Sequence, residues 1–373
     1  MARNPKHVML SDPNHDELQR QQFVFNLKRY LATKIRPGNK IIYKKIIEPE
    51  YKKFNGKTPE SRSQINNIMN KNPSYQIYSA LTRNAQEMMW DSVADPIYRN
   101  KINLSEKYKK IDKKKSKLGS INLDQKFNIP NGIKKVDIHL QPGGYASDYN
   151  SNDVLAGAFY EGGGNLYSLG NGVGVAEGKA EVIIRFLKEK FPNFTPSRIL
   201  DCGCSAGSSS TPWALAYPNA EVHAIDVGAS MLRYAHARAE YLGAKVHFHQ
   251  MSAKEIRFKN ESFDLVVSHN AMHEMPQKTT EGMFNESFRL LKKDGISIHQ
   301  DVPLRFDELE PYEQFERGWD HKNNNEPYWI TYATNNPKKM FQRAGFNNEN
   351  IWLGRFEQLD KTINWFVSCA VKT

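Results

Sequence analysis

The chain has 373 residues, of which 39% are hydrophobic, and its formal net charge is +11. This length and apolar content allow one large domain or two ordinary ones and exclude wholesale disorder. No segment approaches the ~20 apolar residues of a membrane-spanning helix, and no apolar stretch of the signal-peptide type follows the first residues. The three cysteines, Cys202, Cys204 and Cys369, form no disulfide framework, so we expect a cytoplasmic protein.

The positive charge has two interpretations. One is a polyanionic partner, such as nucleic acid or an anionic membrane surface. The other, which we prefer, is a solvated lysine-rich surface, because the densest run, residues 107–117, looks like a linker rather than a groove with aromatic side chains between its cations. We therefore expect neither a nucleic-acid partner nor membrane insertion.

Residues 1–125 are predicted to form a helical N-terminal region that ends in a basic linker, residues 106–124. Apolar residues recur at helical spacings in 15–35 and in 74–98. A common core between these helices is the simplest interpretation. A lid over an active site, a substrate-binding role or a dimerisation role is the alternative.

Residues 126–177 are predicted to contain a strand at 136–140 and then a segment rich in glycine and tyrosine, residues 156–174. Such a composition is not typical of a regular helix or strand throughout, so we interpret this segment as a mobile flap across the mouth of a ligand cleft. Tyr160 and Tyr167 are its candidate ligand contacts. An ordinary long loop is the alternative.

From residue 178 onward, strands alternate with helices, which predicts a mainly parallel sheet covered on both faces. The predicted strands are 198–202, 221–226, 245–250, 263–268, 296–301, 350–353 and 364–371. The last two have no room for a helix between them and are expected to form an antiparallel hairpin. The predicted fold class is thus α/β, a Rossmann-like, seven-stranded, mostly parallel sheet over residues 178–373, with a helical N-terminal region.

Two features at the ends of predicted strands describe a nucleotide cleft. Asp201 ends one strand and leads into a turn of small residues, Gly203 to Gly207, while Asp226 ends the next strand 25 residues later. A turn without bulky side chains allows the backbone to approach a ligand closely, and a carboxylate at the next strand accepts both hydroxyls of a ribose.

This spacing resembles that of the class I S-adenosylmethionine (SAM)-dependent methyltransferases, whose turn reads acid-x-Gly-x-Gly-x-Gly. Gly203 and Gly207 match the first and third glycines, and Ser205 takes the place of the second. The resemblance implies SAM as the cofactor, with Asp201 helping to hold its amino end and Asp226 accepting from its ribose. It further implies that Met231 packs on the adenine and that Ser252 takes the adenine amino group in place of an aspartate. The other expected cofactor contacts are Cys204, Val227, Ala253, His269 and Tyr160.

The loop after the fourth strand, which faces the transferring methyl in that family, contains His269, His273 and Glu274. Because a histidine titrates near neutral pH, we predict His273 and His269 as candidate bases, with Glu274 as the orienting partner. The alternative for His269 is a contact with the cofactor or a helix cap. We predict no metal site, because this His-x-x-x-His-Glu pattern lacks the metalloprotease order and a clear third ligand.

Residues 302–334 form an insertion rich in aromatic and acidic residues, which we interpret as a substrate wall. A plain cap on the sheet is the alternative. The candidate substrate contacts are Tyr167, Asp301, Tyr312 and Trp319, with Gln314 and Asn325 as further polar candidates.

The resemblance covers residues 178–373 and is nearest to the small-molecule branch that includes quinone C-methyltransferases. It implies methyl transfer to a small, aromatic or conjugated metabolite, and the histidine pair favours O-methylation over C- or N-methylation. One alternative is a nucleic-acid methyltransferase that uses the basic N-terminal region, although the acidic wall would repel a phosphate backbone. Another is a non-catalytic SAM-binding protein. The oligomeric state is open, and a homodimer is one option.

Overall fold

A single sheet organises the structure, a computed structural model that describes residues 6–167 and 177–373. Its eight strands within the described residues are β1 (Ser120–Asn122), β2 (Arg198–Cys202), β3 (Glu221–Asp226), β4 (Val246–Gln250), β5 (Phe263–His269), β6 (Leu291–Asp301), β7 (Ile351–Glu357) and β8 (Asn364–Val371). Their spatial order is β1-β4-β3-β2-β5-β6-β8-β7. All neighbours from β1 to β6 pair in parallel, and β8 is antiparallel to both β6 and β7. The predicted fold class is therefore confirmed.

The seven strands predicted from residue 178 onward are all present, and β1 adds a short parallel edge strand within the segment predicted as a linker. Helices cover both faces of the sheet. On one face, α8 (Lys179–Lys190), α9 (Ser210–Ala216) and α10 (Ala229–Tyr241) bury apolar side chains in one core. On the other face, α11 (Gln277–Leu290) and α15 (Pro337–Ala344) pack in a second core.

The remaining helices lie before the sheet domain and in its insertion. They are α1 (His15–Tyr30), α2 (Arg36–Ile42), α3 (Glu48–Asn55), α4 (Arg62–Met69), α5 (Pro73–Asp112), α6 (Asn131–Lys134), α7 (Leu155–Tyr167), α12 (Pro311–Arg317), α13 (Trp319–Asn323) and α14 (Trp329–Thr334). Two π-helical stretches, Leu31–Ile35 and Tyr43–Ile47, connect α1, α2 and α3.

The N-terminal helices share their core with the sheet domain. The 40-residue helix α5 packs along α1 and buries Trp90, Val93 and Ile97 in one cluster with Phe159 of α7 and Tyr234 of α10. A separate cluster joins α4 and the start of α5 to α12. This core packing, rather than a free lid, is what fixes these helices against the rest of the chain.

Three local predictions are wrong. Residues 136–140 are not a strand, because His139 and Leu140 have positive φ values of 56° and 61° and a 3-10 turn spans Ile138–Leu140. The predicted linker begins too early, since α5 continues to Asp112. The flap prediction fails for residues 156–167, which are helical, while residues 168–174 lie outside the described residues.

Two glycines of α7, Gly157 and Gly163, serve close packing. A Cβ atom built on Gly157 would lie 2.3 Å from Cβ of Tyr234, and one built on Gly163 would lie 2.5 Å from the Trp90 ring. Both distances are shorter than real side chains tolerate, so glycine allows α7 to approach α10 and α5 closely.

Within the described ranges, every helix is too short or too polar to cross a membrane.

Candidate active site

A cleft opens at the carboxyl ends of β2, β3, β4 and β5, where a doubly wound sheet offers a ligand site. Seven of the predicted cofactor residues line it, namely Tyr160, Gly203, Ser205, Asp226, Val227, Ser252 and Ala253. The predicted catalytic residue Glu274 lines it as well. The sequence analysis missed several further lining residues, among them Ile133, Tyr145, Asn270, Ala271 and Met275.

The turn after β2 is shaped by backbone conformation. Gly203 has a φ of +72°, and a Cβ atom there would lie 2.9 Å from Cβ of Ala271. Ser205, at the position where the resembling family has glycine, also adopts a left-handed φ of 49°. The turn therefore contains left-handed backbone conformations, and the serine adopts one that favours glycine.

Asp226 is held at the tip of β3 by two backbone donors. The amide of Ser205 donates to its Oδ2 at 2.9 Å, and the amide of Gly228 donates to its Oδ1 at 3.0 Å. Burial raises the pKa of Asp226, and these two hydrogen bonds oppose that rise. The carboxylate is thus fixed at the edge of the cleft, with lone pairs left for a ligand.

Ser252 has an unpaired hydroxyl on the same cleft. Its Oγ is buried and has no hydrogen-bond partner among the described residues. Because an unpaired buried hydroxyl is costly, this atom is a natural contact for a polar ligand group.

Five predicted cofactor residues do not line the cleft: Asp201, Cys204, Gly207, Met231 and His269. The side chains of Cys204 and Met231 pack in the apolar cores, and their contact with a cofactor stays a prediction. Gly207 lies against α10, where a Cβ atom would be 3.0 Å from Cβ of Ala235. Cys204, Gly207 and Met231 therefore lie behind the surface of the cleft.

Asp201 lies behind the turn as a fully buried carboxyl. Its Oδ2 accepts hydrogen bonds from the hydroxyls of Ser209 and Ser210, each at 2.6 Å. Its Oδ1 has no partner among the described residues. Burial raises the pKa of Asp201 to about 6, although the two serine hydroxyls oppose the rise.

The predicted roles of His269 as base and cofactor contact are contradicted. It is buried, and its Nε2 accepts from Nε1 of Trp213 at 2.9 Å while its Nδ1 lies 3.2 Å from Oε1 of Gln300. Burial lowers its pKa to about 3. The ring is a neutral core histidine with both nitrogens engaged inside the protein.

His273 lies one layer behind the cleft rather than on its surface. Its Nδ1 is 2.5 Å from Oδ1 of Asp301, and its Nε2 is 3.3 Å from Oε1 of Glu274. Burial opposes its charge, but these two carboxylates raise its pKa well above the ordinary value. Since both ring nitrogens face carboxylates, the predicted role of a free general base is not supported.

His139, which the sequence analysis did not single out, faces His273 across Glu274. Its Nε2 lies 2.6 Å from Oε1 of Glu274, and its Nδ1 lies 2.8 Å from Oε1 of Glu326. Burial opposes its charge, but both carboxylates raise its pKa to about 10. The hydroxyl of Tyr145 also donates to Oε1 of Glu274, at 3.2 Å.

The ligating atoms of His139, His273 and Glu274 all lie within 4.8 Å of one another, which is close enough to hold one metal ion. The prediction of no metal site rested on a missing third ligand. His139 offers a third donor atom from another part of the chain, and the absence of a metal site stays a prediction.

The predicted substrate residues separate into two groups. Tyr167 and Asp301 belong to the polar network, since the hydroxyl of Tyr167 lies 2.8 Å from Nδ1 of His139 and Asp301 contacts His273. Tyr312 and Trp319 do not approach the cleft. Tyr312 packs against Tyr43 with ring centroids 4.7 Å apart and ring planes tilted by 31°, and Nε1 of Trp319 donates to the hydroxyl of Ser79.

The first part of the insertion, α12 and α13, therefore packs on the N-terminal helices, whereas Trp329 and Tyr332 of α14 pack against the ring of His273. Its acidic residues pair with basic residues of that region, as Glu316 does with Arg36 and Glu313 with Lys40. Gln314 donates to backbone carbonyls, and Asn325 donates to the carbonyl of Asp137, so both have structural roles. Glu326 and Asn324 are insertion residues that reach the polar network, and no spacing signal marked them.

Comparison with known proteins places part of this chain in a class. Residues 199–295 match a family model described as a methyltransferase domain. A stretch of 129 residues is 30% identical to a malonyl-[acyl-carrier protein] O-methyltransferase of Legionella pneumophila and covers 34% of this chain and 43% of that protein. A stretch of 171 residues is 26% identical to an uncharacterized protein of Haemophilus influenzae and covers 43% of this chain and 63% of that protein. The chain spans less than two thirds of the length of the curated relatives it matches.

Among solved structures, the phosphoethanolamine N-methyltransferase 2 of Haemonchus contortus in complex with S-adenosyl-L-methionine is 21% identical, with a TM-score of 0.39 and 51% of each chain covered. The strand order and the matched segment agree with the predicted class, since residues 199–295 are similar to a methyltransferase domain. The predicted class is confirmed at this level.

Proposed function

We propose that this protein is an enzyme that transfers a methyl group from SAM to a small-molecule acceptor, with oxygen as the preferred methylated atom. The observation that supports this proposal most directly is one cleft that joins the Gly203 turn, Asp226 and the unpaired hydroxyl of Ser252 to the carboxylate of Glu274.

The cleft suits an adenosyl group. Asp226, oriented by two backbone amides, would accept from the ribose hydroxyls, a charge-assisted contact. Ser252, whose Oγ has no partner among the described residues, would take the adenine amino group. Gly203 leaves room for close approach of the backbone, and the unpaired Oδ1 of Asp201 behind the turn is a candidate partner for the amino end.

The acceptor end of the cleft is marked by Glu274 and Tyr145. SAM supplies an activated methyl group, so the protein's task is to align the acceptor and to hold its proton. The Oε2 atom of Glu274 is buried and without a hydrogen-bond partner in the described part of the chain, and it would accept from an acceptor hydroxyl. His139 and His273 would position this carboxylate through their contacts with its Oε1.

The N-terminal region would shape the acceptor end as a fixed cover. Nε1 of Trp90 and Nε2 of Gln86 both donate to the carbonyl oxygen of His139, at 2.6 and 3.0 Å. We therefore assign residues 1–125 a supporting role at the acceptor end, and residues 126–177 a role in closing the cleft, where Tyr160 contributes to the lining.

The preference for oxygen has two supports. The Legionella pneumophila relative is named as an O-methyltransferase, and a carboxylate at the acceptor end suits a hydroxyl or acid group. An aromatic or conjugated metabolite remains the acceptor class that the sequence favours.

Incubation of the purified chain with methyl-labelled SAM and a small-molecule extract tests the proposal. We expect a labelled product of low molecular mass, and calorimetry should show binding of S-adenosylhomocysteine. If the chain binds adenosylhomocysteine but no labelled product forms, the result would favour the non-catalytic SAM-binding alternative. If the chain does not bind adenosylhomocysteine, the proposal is refuted.

A further inference from the structure

We propose that His139, His273 and Glu274 bind a divalent transition-metal ion at the acceptor end of the cleft. Their three donor atoms converge, since Oε1 of Glu274 lies 2.6 Å from Nε2 of His139 and 3.3 Å from Nε2 of His273. A four-coordinate ion with bonds of about 2.1 Å needs donors about 3.4 Å apart. Oε1 of Glu274 and Nε2 of His139 would therefore have to separate by about 0.8 Å for an ion to bind between them.

The Nδ1 atoms of both histidines, which are the ring nitrogens not facing Glu274, have the kind of partner that is typical of metal-binding histidines. Nδ1 of His273 faces Asp301 at 2.5 Å, and Nδ1 of His139 faces Glu326 at 2.8 Å. In protein metal sites a ligating histidine donates its other N–H to a carboxylate or carbonyl, which fixes the tautomer and aims the free nitrogen at the ion. Here both rings have that support, and both aim Nε2 at the same carboxylate.

The buried charge also favours a cation at this position. Glu274, Asp301 and Glu326 place three carboxylates around two imidazoles. Two of their oxygens, Oε2 of Glu274 and Oε2 of Glu326, are buried without a hydrogen-bond partner among the described residues. A buried carboxylate is costly unless a positive charge compensates it. Without an ion the protonated imidazoles supply that charge, and a divalent ion would supply the same charge with both imidazoles neutral.

The donor set selects the kind of metal. Two imidazole nitrogens and one carboxylate oxygen suit Zn²⁺, Fe²⁺, Mn²⁺ or Co²⁺, whereas Ca²⁺ and Mg²⁺ prefer oxygen ligands throughout. Three protein ligands leave at least one coordination position open.

The open position would face the cleft, because Glu274 is one of the residues that line it. An acceptor oxygen could bind there and be held for methyl transfer, a step that rests on the proposed function. The binding of the ion itself does not depend on that function.

The test uses the full chain, stripped of metal with a chelator and then titrated with Co²⁺ as the probe. We expect one Co²⁺ per chain and a visible absorption band of a low-coordinate nitrogen and oxygen site. His139→Ala, His273→Ala and Glu274→Gln should each weaken Co²⁺ binding by at least about tenfold. Glu274→Gln keeps the size of the side chain, so it remains informative if a histidine variant fails to fold.

The matched control is His249→Ala. Nε2 of His249 on β4 lies 3.0 Å from Nδ1 of His223 on β3, so His249 also has a histidine neighbour. Its loss should leave Co²⁺ binding unchanged. Absence of a band in the wild-type chain, equal binding in Glu274→Gln, or a loss confined to His249→Ala would each overturn the metal site. Failure to bind adenosylhomocysteine would count against the proposed function and would leave the Co²⁺ result standing.

Discussion

Oε1 of Glu274 lies 2.6 Å from Nε2 of His139, although 135 residues separate them in the chain. His139 has a left-handed backbone conformation, and its carbonyl oxygen accepts from Trp90 and Gln86 of the long N-terminal helix α5. The N-terminal helix α5 therefore fixes the position of His139, which contacts Glu274 in the loop after β5. The acceptor end of the cleft is assembled from segments that are far apart in sequence.

Asp226→Ala should weaken adenosylhomocysteine binding by at least about tenfold without unfolding the domain. The change removes the carboxylate that would accept from the ribose, and charged hydrogen bonds contribute about 1.5–3 kcal/mol. Calorimetry measures the affinity, and Glu221→Ala, at the exposed start of the same strand, is the control. Unchanged affinity in Asp226→Ala would defeat the ribose assignment.

Ser252→Ala should move ligand affinity and protein stability in opposite directions. The hydroxyl has no partner among the described residues, so its removal should leave the free energy of unfolding equal or slightly higher. Adenosylhomocysteine affinity should fall by about three- to tenfold, because a neutral hydrogen bond contributes about 0.5–1.5 kcal/mol. A parallel loss of stability and affinity would indicate a structural role instead.

Asp201 should make the chain less stable as pH rises from about 4 to about 6. Burial raises its folded pKa to about 6, above the ordinary value of 3.8, so the fold favours the neutral acid and the unfolded chain releases the proton first. Above pH 6 the cost reaches its full size, on the order of 3 kcal/mol. Denaturation between pH 4 and 7 should show a smaller loss in Asp201→Asn than in the wild-type chain. Identical pH profiles would contradict the raised pKa.

His269→Asn should lower stability and leave turnover nearly intact. Both ring nitrogens are engaged with Trp213 and Gln300 in the core, and an unpaired partner left behind costs about 1–3 kcal/mol. Chemical denaturation measures the stability, and turnover with the acceptor found by methyl labelling measures the activity. A large fall in turnover at unchanged stability would restore His269 as the base.

The strands of the sheet domain could be predicted because buried parallel strands are short apolar runs between helices. Arg198–Cys202, Glu221–Asp226 and Asn364–Val371 were predicted with the bounds that the structure has. Asp226 and Ser252 line the cleft because the ends of adjacent parallel strands meet at one edge of the sheet. Local pattern and chain order were sufficient for this half of the site.

The glycine-rich composition of residues 156–167 led to a wrong prediction, because glycine can provide either flexibility or close packing. The segment that contains Gly157 and Gly163 resembles a bending flap in sequence, yet both glycines are small residues at helix contacts with Tyr234 and Trp90. Nothing local distinguishes a glycine needed for flexibility from one needed for close approach, since the neighbour lies elsewhere in the chain.

The amino-acid sequence by itself determined the strands of the sheet, the antiparallel hairpin at its end, and the side of the cleft formed by the Gly203 turn and Asp226. These features could be predicted because the periodicity of hydrophobic residues and the chemistry of turns are local properties. The tertiary structure alone decided which polar side chains face that edge. His269 lies in the core, where it contacts Trp213 and Gln300. His139 lies between Glu274 and Glu326, although the three residues are far apart in the sequence. Such convergence depends on the packing of distant segments, which no spacing along the chain records.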